Sequence, residues 1–219
     1  MQERNQSFID AASTETACAF CQSHKITDIL HVTPHFLLVA DHAPLVEGHL
    51  LIIPKQHYAC YGNVPACLDE ELFAIKEELR QFYLQYYSPV VFWEHGVFRQ
   101  TVFHAHLHCF PWGQLEYDLT SQVHNAVVTT QEDIRSWFRR TGHYFYLEDD
   151  QIALLFAPEI DRYTHVVQKV FQKHRVGRMR NALERYMEGK PLIEGVVTRW
   201  QAFQAQRSLT LQPEPDRTE

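Results

Sequence analysis

Gln100-Thr-Val-Phe-His-Ala-His-Leu-His-Cys-Phe110 carries histidines at 104, 106 and 108, with one apolar residue between neighbours. In a β-strand the side chains at i, i+2 and i+4 emerge on one side. The spacing therefore predicts a strand with imidazoles along one face, while Phe103, Ala105, Leu107 and Cys109 pack into a core from the other. Three adjacent imidazoles will not all be charged, because like charges that close disfavour one another. At least one is neutral at pH 7, and a neutral imidazole is a nucleophile. The same row also fits a solvated strand face, or a metal cluster made of all three rings.

Working outward, Val90–Trp93 reads as the strand before this one, joined to it by a loop centred on Glu94-His95-Gly96. Ahead of it, Leu68, Leu72, Ile75, Leu79, Phe82 and Tyr86 recur at helical steps, which predicts a helix over 69–87 that ends at Ser88-Pro89. Asp69 is its expected N-cap, with a staple between Leu68 and Phe73. Ile26–Val32, His35–Ala40 and His49–Pro54 read as three further strands. The pattern is α+β: an antiparallel sheet carrying one long helix. From about residue 116 a mixed, mostly helical extension begins. Thr130-Gln-Glu-Asp133 resembles a capping box, and residues 143–148 and 151–157 read as a hairpin turning at Asp149-Asp150. Helices are expected at about 160–174, 178–188 and 195–206. The expected units are a flexible leader 1–14, a core domain 15–115, an extension 116–207 packed on that core, and a disordered tail 208–219.

The 219 residues include 14 histidines and 5 cysteines, with a net charge of -7. No apolar run approaches the roughly 18–20 residues of a membrane span. The polar N-terminus is not a secretory signal. An odd cysteine count in a chain this long argues against a disulfide framework and for a reducing cytoplasm. The negative charge does not favour a general nucleic-acid partner. One segment runs the other way: residues 162–185 hold Arg162, Lys169, Lys173, Arg175, Arg178, Arg180 and Arg185 against Glu184. It reads either as a clamp for phosphates or nucleic acid, or as a solvated helix face. Cys18-x-x-Cys21 alone is a redox pair or two buried thiols.

The segment FHAHLHCF fits the His-φ-His-φ-His-φ-φ signature and resembles the histidine triad (HIT) family. The likeness continues through Gln100-Thr101-Val102, Gly48-His49-Leu50-Leu51-Ile52-Ile53-Pro54-Lys55-Gln56-His57, Asp41 and Cys18–Cys21, and covers about residues 17–113. It implies a nucleotide-binding enzyme in which His106 attacks the α-phosphorus and forms a nucleotidyl-histidine that water hydrolyses. It implies that Gln100, Thr101 and His108 contact the phosphate and that Asp41 accepts hydrogen bonds from the ribose. Dinucleoside polyphosphates, nucleoside phosphoramidates and adenylates are the implied substrates. Arg99, where members carry Gly, either pairs with phosphate or is solvated. Glu94 falls where members often carry Asn, and there it would repel a polyphosphate unless it faces elsewhere.

In the zinc-containing branch of the family, the positions of Cys18, Cys21, His57 and His104 form a closed, structural Zn2+ site. Cys60, Cys67 and Cys109 match no ligand position and are expected to pack in the core. The family implies a homodimer across the long helix and a sheet edge, unless the extension covers that surface. Two alternatives remain open: phosphorolysis, and a nucleotide- or RNA-binding adaptor without turnover.

Overall fold

The computed structural model describes residues 18–98, 100–113, 125–157 and 182–210. The leader 1–14, Arg99, residues 211–219 and the basic segment up to residue 181 lie outside the described residues. Among the described residues there are eight strands: β1 Ile29–Val32, β2 Phe36–Ala40, β3 Leu50–Pro54, β4 Val91–Glu94, β5 Leu107–Phe110, β6 Asn125–Val127, β7 Phe145–Glu148 and β8 Ala153–Phe156. They form one sheet in the order β1-β2-β3-β5-β4-β7-β8-β6, every neighbouring pair antiparallel. The α-helices of the described residues are α1 Asp69–Tyr86, α2 Gln131–Thr141 and α3 Ala182–Thr210. The α+β architecture expected from the sequence is the one observed.

The alternation of the strands sorts their side chains onto two faces. Phe36, Leu38, Leu50, Ile52, Phe92, Leu107 and Cys109 meet Leu72, Ile75, Leu79, Phe82 and Tyr83 of α1 in the main core. On the opposite face, Trp93, Phe110, Trp112, Phe145 and Phe156 form one cluster. Leu37, Val39, Leu51 and Ile53 form another, with Phe20 packed on it. The α1 periodicity is as expected, but its start is not: Leu68 is the N-cap residue and the Asp69 carboxylate pairs with Arg135 at 2.6 Å. Phe73 is 64% exposed, so no staple forms with Leu68.

The strand of the triad is shorter than its alternation suggests. β5 begins at Leu107, opposite Ile52. Two rungs further the partner position is Pro54, which has no N–H to donate. Ala105 turns aside and donates to Tyr58 O at 2.6 Å. His104 and His106 thus precede the ladder. Phe103, expected in the core, is 62% exposed.

The strands after residue 125 continue the same sheet. β7 lies against β4, pairing Phe92 with Glu148, Trp93 with Leu147 and Glu94 with Tyr146. Lys76 and Arg80 of α1 both reach the Glu148 carboxylate, which also accepts from Tyr146 Oη. The capping box forms: Asp133 accepts from the Thr130 N–H at 2.8 Å. The turn at Asp149 accepts from the N–H groups of Gln151 and Ile152, both at 2.9 Å. The helices expected at 178–188 and 195–206 are one continuous element where described, with Pro191 inside it. α3 lays Trp200 and Phe203 against Phe82, at 5.0 and 5.5 Å between ring centroids. Gly195 brings α3 onto the loop between β2 and β3, because a Cβ there would lie 2.8 Å from the Glu47 carboxylate. Arg199 pairs with that carboxylate. So α3 covers a flank of α1, the long helix at which a homodimer was expected, and β7 pairs with β4, both within one chain. Among the described residues no helix is long and apolar enough to cross a membrane.

Candidate functional site

The first cluster joins an N-terminal knuckle to the entry of β5. His104, wholly buried, donates from Nε2 to Pro54 O at 2.8 Å. A carbonyl only accepts, so the His104 proton sits on Nε2 and its Nδ1 lone pair is exposed. That Nδ1 lies 3.5 Å from Cys18 Sγ and 3.5 Å from Cys21 Sγ. His57 Nδ1 lies 3.2 Å from Cys21 Sγ. All four donor atoms fall within 4.8 Å of one another. Donors around a tetrahedral ion with metal–sulfur near 2.3 Å and metal–nitrogen near 2.0 Å sit about 3.5 Å apart, so the set fits such an ion. Burial holds the His104 pKa down, to about 4, which favours the neutral, ligating form. Cys60 and Cys109 are buried away from this group, as expected, whereas Cys67 is exposed rather than packed.

The second cluster lies next to it on the same side of the sheet. His106 donates from Nδ1 to His104 O at 2.7 Å, which fixes its tautomer and leaves a lone pair on Nε2. The ring is 6% exposed, and burial lowers its pKa. Its centroid stands 4.9 Å from that of His108. His108 Nδ1 is 2.9 Å from His49 Nε2, and the Leu45 N–H donates to His49 Nδ1 at 3.3 Å. An N–H donor at Nδ1 places the His49 proton on Nε2. That proton goes to His108 Nδ1, and His108 in turn carries its own proton on Nε2, as a donor. Asp41 Oδ2 stands 3.5 Å from His49 Nε2. Asp41, His49 and His108 also have the donor types of a metal site. Within the group, His49 and His108 are hydrogen-bonded to each other, and the Asp41 carboxylate stands beside the same His49 nitrogen.

His49 was not among the residues singled out from the sequence. The signal was available: the register that sets Leu51 opposite His108 sets His49 opposite Phe110. The two rings do stack there, 4.2 Å apart.

The third part is the loop between β4 and β5. Glu94 faces the main core. It accepts from the Tyr61 N–H at 2.7 Å and from Tyr144 Oη. Complete burial raises its pKa to about 7. The repulsion that a Glu in this place would exert on a polyphosphate therefore does not arise. His95 lies on the other side, its centroid 5.9 Å from that of His108. It donates from Nδ1 to Phe98 O at 3.2 Å. Burial, then the neighbouring His106, hold its pKa down to about 4. His95 too escaped the sequence reading. Gln100 is 7% exposed, and neither its Oε1 nor its Nε2 has a partner among the described residues. Thr101 is exposed. Arg99 lies outside the described residues.

Comparison with known proteins follows the same outline. A family model described as "Protein similar to CwfJ C-terminal" matches residues 5–125, more than half of the chain. A similar protein from Arabidopsis thaliana, named "Bifunctional adenosine 5'-phosphosulfate phosphorylase/adenylylsulfatase HINT4", is 31% identical over 108 residues, 45% of this chain and 73% of that one. The "Uncharacterized HIT-like protein MG132" of Mycoplasma genitalium is 28% identical over 114 residues, 45% of this chain and 75% of that one. Among solved structures, a zinc-bound histidine triad family protein from Mycobacterium smegmatis superposes with a TM-score of 0.40 at 22% identity, covering 57% of this chain and 96% of that one. The chain belongs to the HIT-like proteins, in the family of proteins similar to the CwfJ C-terminal region.

Proposed function

We propose that this protein is a nucleotide hydrolase or nucleotidyltransferase that attacks an α-phosphate through His106. The observation that carries the reading is the fixed tautomer of that ring. With Nδ1–H held by His104 O, the basic atom is Nε2, and it cannot be lost to tautomer exchange without breaking a 2.7 Å hydrogen bond. Nε2 bonds to phosphorus as the bond from phosphorus to the leaving group breaks. The leaving group departs with the electron pair and takes a proton from the site or solvent. Water then attacks phosphorus, Nε2 leaves, and a nucleoside monophosphate and neutral His106 result. The His108 Nε2–H, the Gln100 amide and the Thr101 hydroxyl are donors for the phosphoryl oxygens, with Arg99 a further candidate. Asp41 receives the ribose hydroxyls. The Gln100 amide, without a partner among the described residues, supports this assignment, since a buried amide is rarely left unsatisfied.

Cys18, Cys21, His57 and His104 would hold Zn2+ in a closed, structural site. An ion bound there would tie the knuckle to His104, the residue whose carbonyl orients His106. Residues 15–115 would form the nucleotide-binding core and 116–207 its extension, in a cytoplasmic protein. A homodimer would meet at the β1 or β6 margin of the sheet rather than at β4. One further reading has its own support: the Arabidopsis relative is named a phosphorylase as well as an adenylylsulfatase. Phosphate in place of water as the acceptor is therefore the second candidate.

Intact-mass measurement after brief incubation with adenylated and guanylated compounds tests the reading. A mass increase of one nucleoside monophosphate, absent from His106→Asn, is expected. No adduct and no turnover across the panel would overturn it.

A further inference from the structure

The chain reverses between β4 and β5 at His95-Gly96-Val97-Phe98, closed by the Phe98 N–H donating to His95 O at 2.8 Å. The two central residues have φ of 52° and 71°. Positive φ at both positions is the mark of a type I′ turn, a place for Gly, Asn or Asp. Val97 is β-branched, and such a residue stays in the left-handed region only where its surroundings over-determine it.

Those surroundings are Tyr144. Its N–H donates to Gly96 O at 3.2 Å, and its backbone forms a parallel bridge with Val97. A Cβ on Gly96 would lie 2.5 Å from Tyr144 O and 2.6 Å from its ring, so the turn is pressed directly against this residue. Tyr144 is itself held independently of the turn. It is fully buried, its hydroxyl donates to Glu94 and accepts from the Gly62 N–H at 2.9 Å. Three residues beyond Val97 stands Gln100, the buried amide without a partner among the described residues. Tyr144 lies outside the matched residues 5–125.

We propose that Tyr144 is a positioning residue: it locks the Gly96–Val97 turn in its left-handed form and thereby presents Gln100 and Thr101 to the phosphate of a nucleotide. The inference rests on the nucleotide reading above. It assigns to the region after residue 125 a part in phosphate recognition that it performs without touching the ligand. A turn that in a Gly-rich sequence would form by local preference is here imposed by a tertiary contact.

Calorimetric titration of the full chain with AMP and adenosine, and with GMP and guanosine, reads the phosphate contribution as the ratio of nucleotide to nucleoside affinity. Tyr144→Leu is expected to lower that ratio about tenfold while nucleoside affinity stays within about twofold. Gly96→Ala, which drives a methyl into Tyr144 O, is expected to lower it similarly and serves if the first variant does not fold. Val97→Gly removes the conformational conflict. In that background Tyr144→Leu is expected to cost less than about threefold, a rescue that a purely structural role would not produce. Equal loss of nucleotide and nucleoside affinity, an unchanged ratio, or no rescue would overturn the inference. Equal wild-type affinity for nucleotide and nucleoside would overturn the nucleotide reading itself, and the inference with it.

Discussion

Glu94 ends β4 and Gln100 stands six residues on, in the loop that follows; both are buried, and their surroundings are opposite. Each Glu94 oxygen has a donor, and nearby Glu148 has three, from Lys76, Arg80 and Tyr146. Gln100 has no partner on either amide atom among the described residues. A buried polar group left unsatisfied costs about 1–3 kcal/mol. The cluster beneath the sheet spends its polar groups on one another and fixes the position of strands. On the other side, the site holds the Gln100 amide, whose two polar atoms have no partner among the described residues. Saturation marks the scaffold here, and that one unmet amide marks the site.

The contrast breaks most sharply at His106. Replacement by Asn is expected to reduce kcat by about 10⁴-fold or more, because a nucleophile is lost. Tm should move by no more than about 2 °C, since the ring is not part of the saturated cluster. Steady-state assays beside calorimetry check both. A parallel collapse of stability would erase the distinction between the two regions.

The knuckle belongs to both categories, so its removal should cost more stability than any single residue of the site. Cys18→Ser, or prolonged chelation, is expected to cost on the order of 4 kcal/mol, seen as a fall in Tm of roughly 10 °C. Elemental analysis of the untreated protein should find one zinc per chain. A metal-free protein of unchanged Tm would remove the zinc assignment and leave four ordinary side chains.

Beneath the sheet the smallest effect is a pH slope. The Glu94 pKa in the folded protein is about 7, above its ordinary 4.5. Between those values the folded state holds a proton that the unfolded state has released, so stability falls as pH rises from 4.5 to 7 and is level above. The full span corresponds to about 3 kcal/mol. Glu94→Gln should flatten this part of the urea-derived stability profile and raise stability at pH 8. A profile unchanged by the substitution would place the ionisation elsewhere.

Much of this was legible in the residues. The 68–86 periodicity and the Thr130–Asp133 box each encode local structure with local physics, and each formed, whereas of the 104–108 alternation only Leu107 and His108 lie in the strand. What escaped depended on partners distant in sequence. Phe103 leaves the core because Pro54, some fifty positions earlier, ends the ladder. The direction of Glu94 follows from β7 and from Tyr61, neither of which the 94–99 loop announces. Val97 sits in a turn whose code calls for Gly or Asn, so no reading of the loop alone could recover it. His49 was the avoidable omission, since one strand register relates it to His108.

Sewing β7 onto β4 has a consequence for how the molecule comes apart. β4 lies between β5, which ends the triad segment, and β7. Peeling β7 away would bare main-chain donors and acceptors in the middle of the sheet and strip Glu148 from two cations. Amide protons of β4 and β7 should therefore exchange with solvent together, in the slowest class, and the two halves of the chain should melt in a single cooperative event.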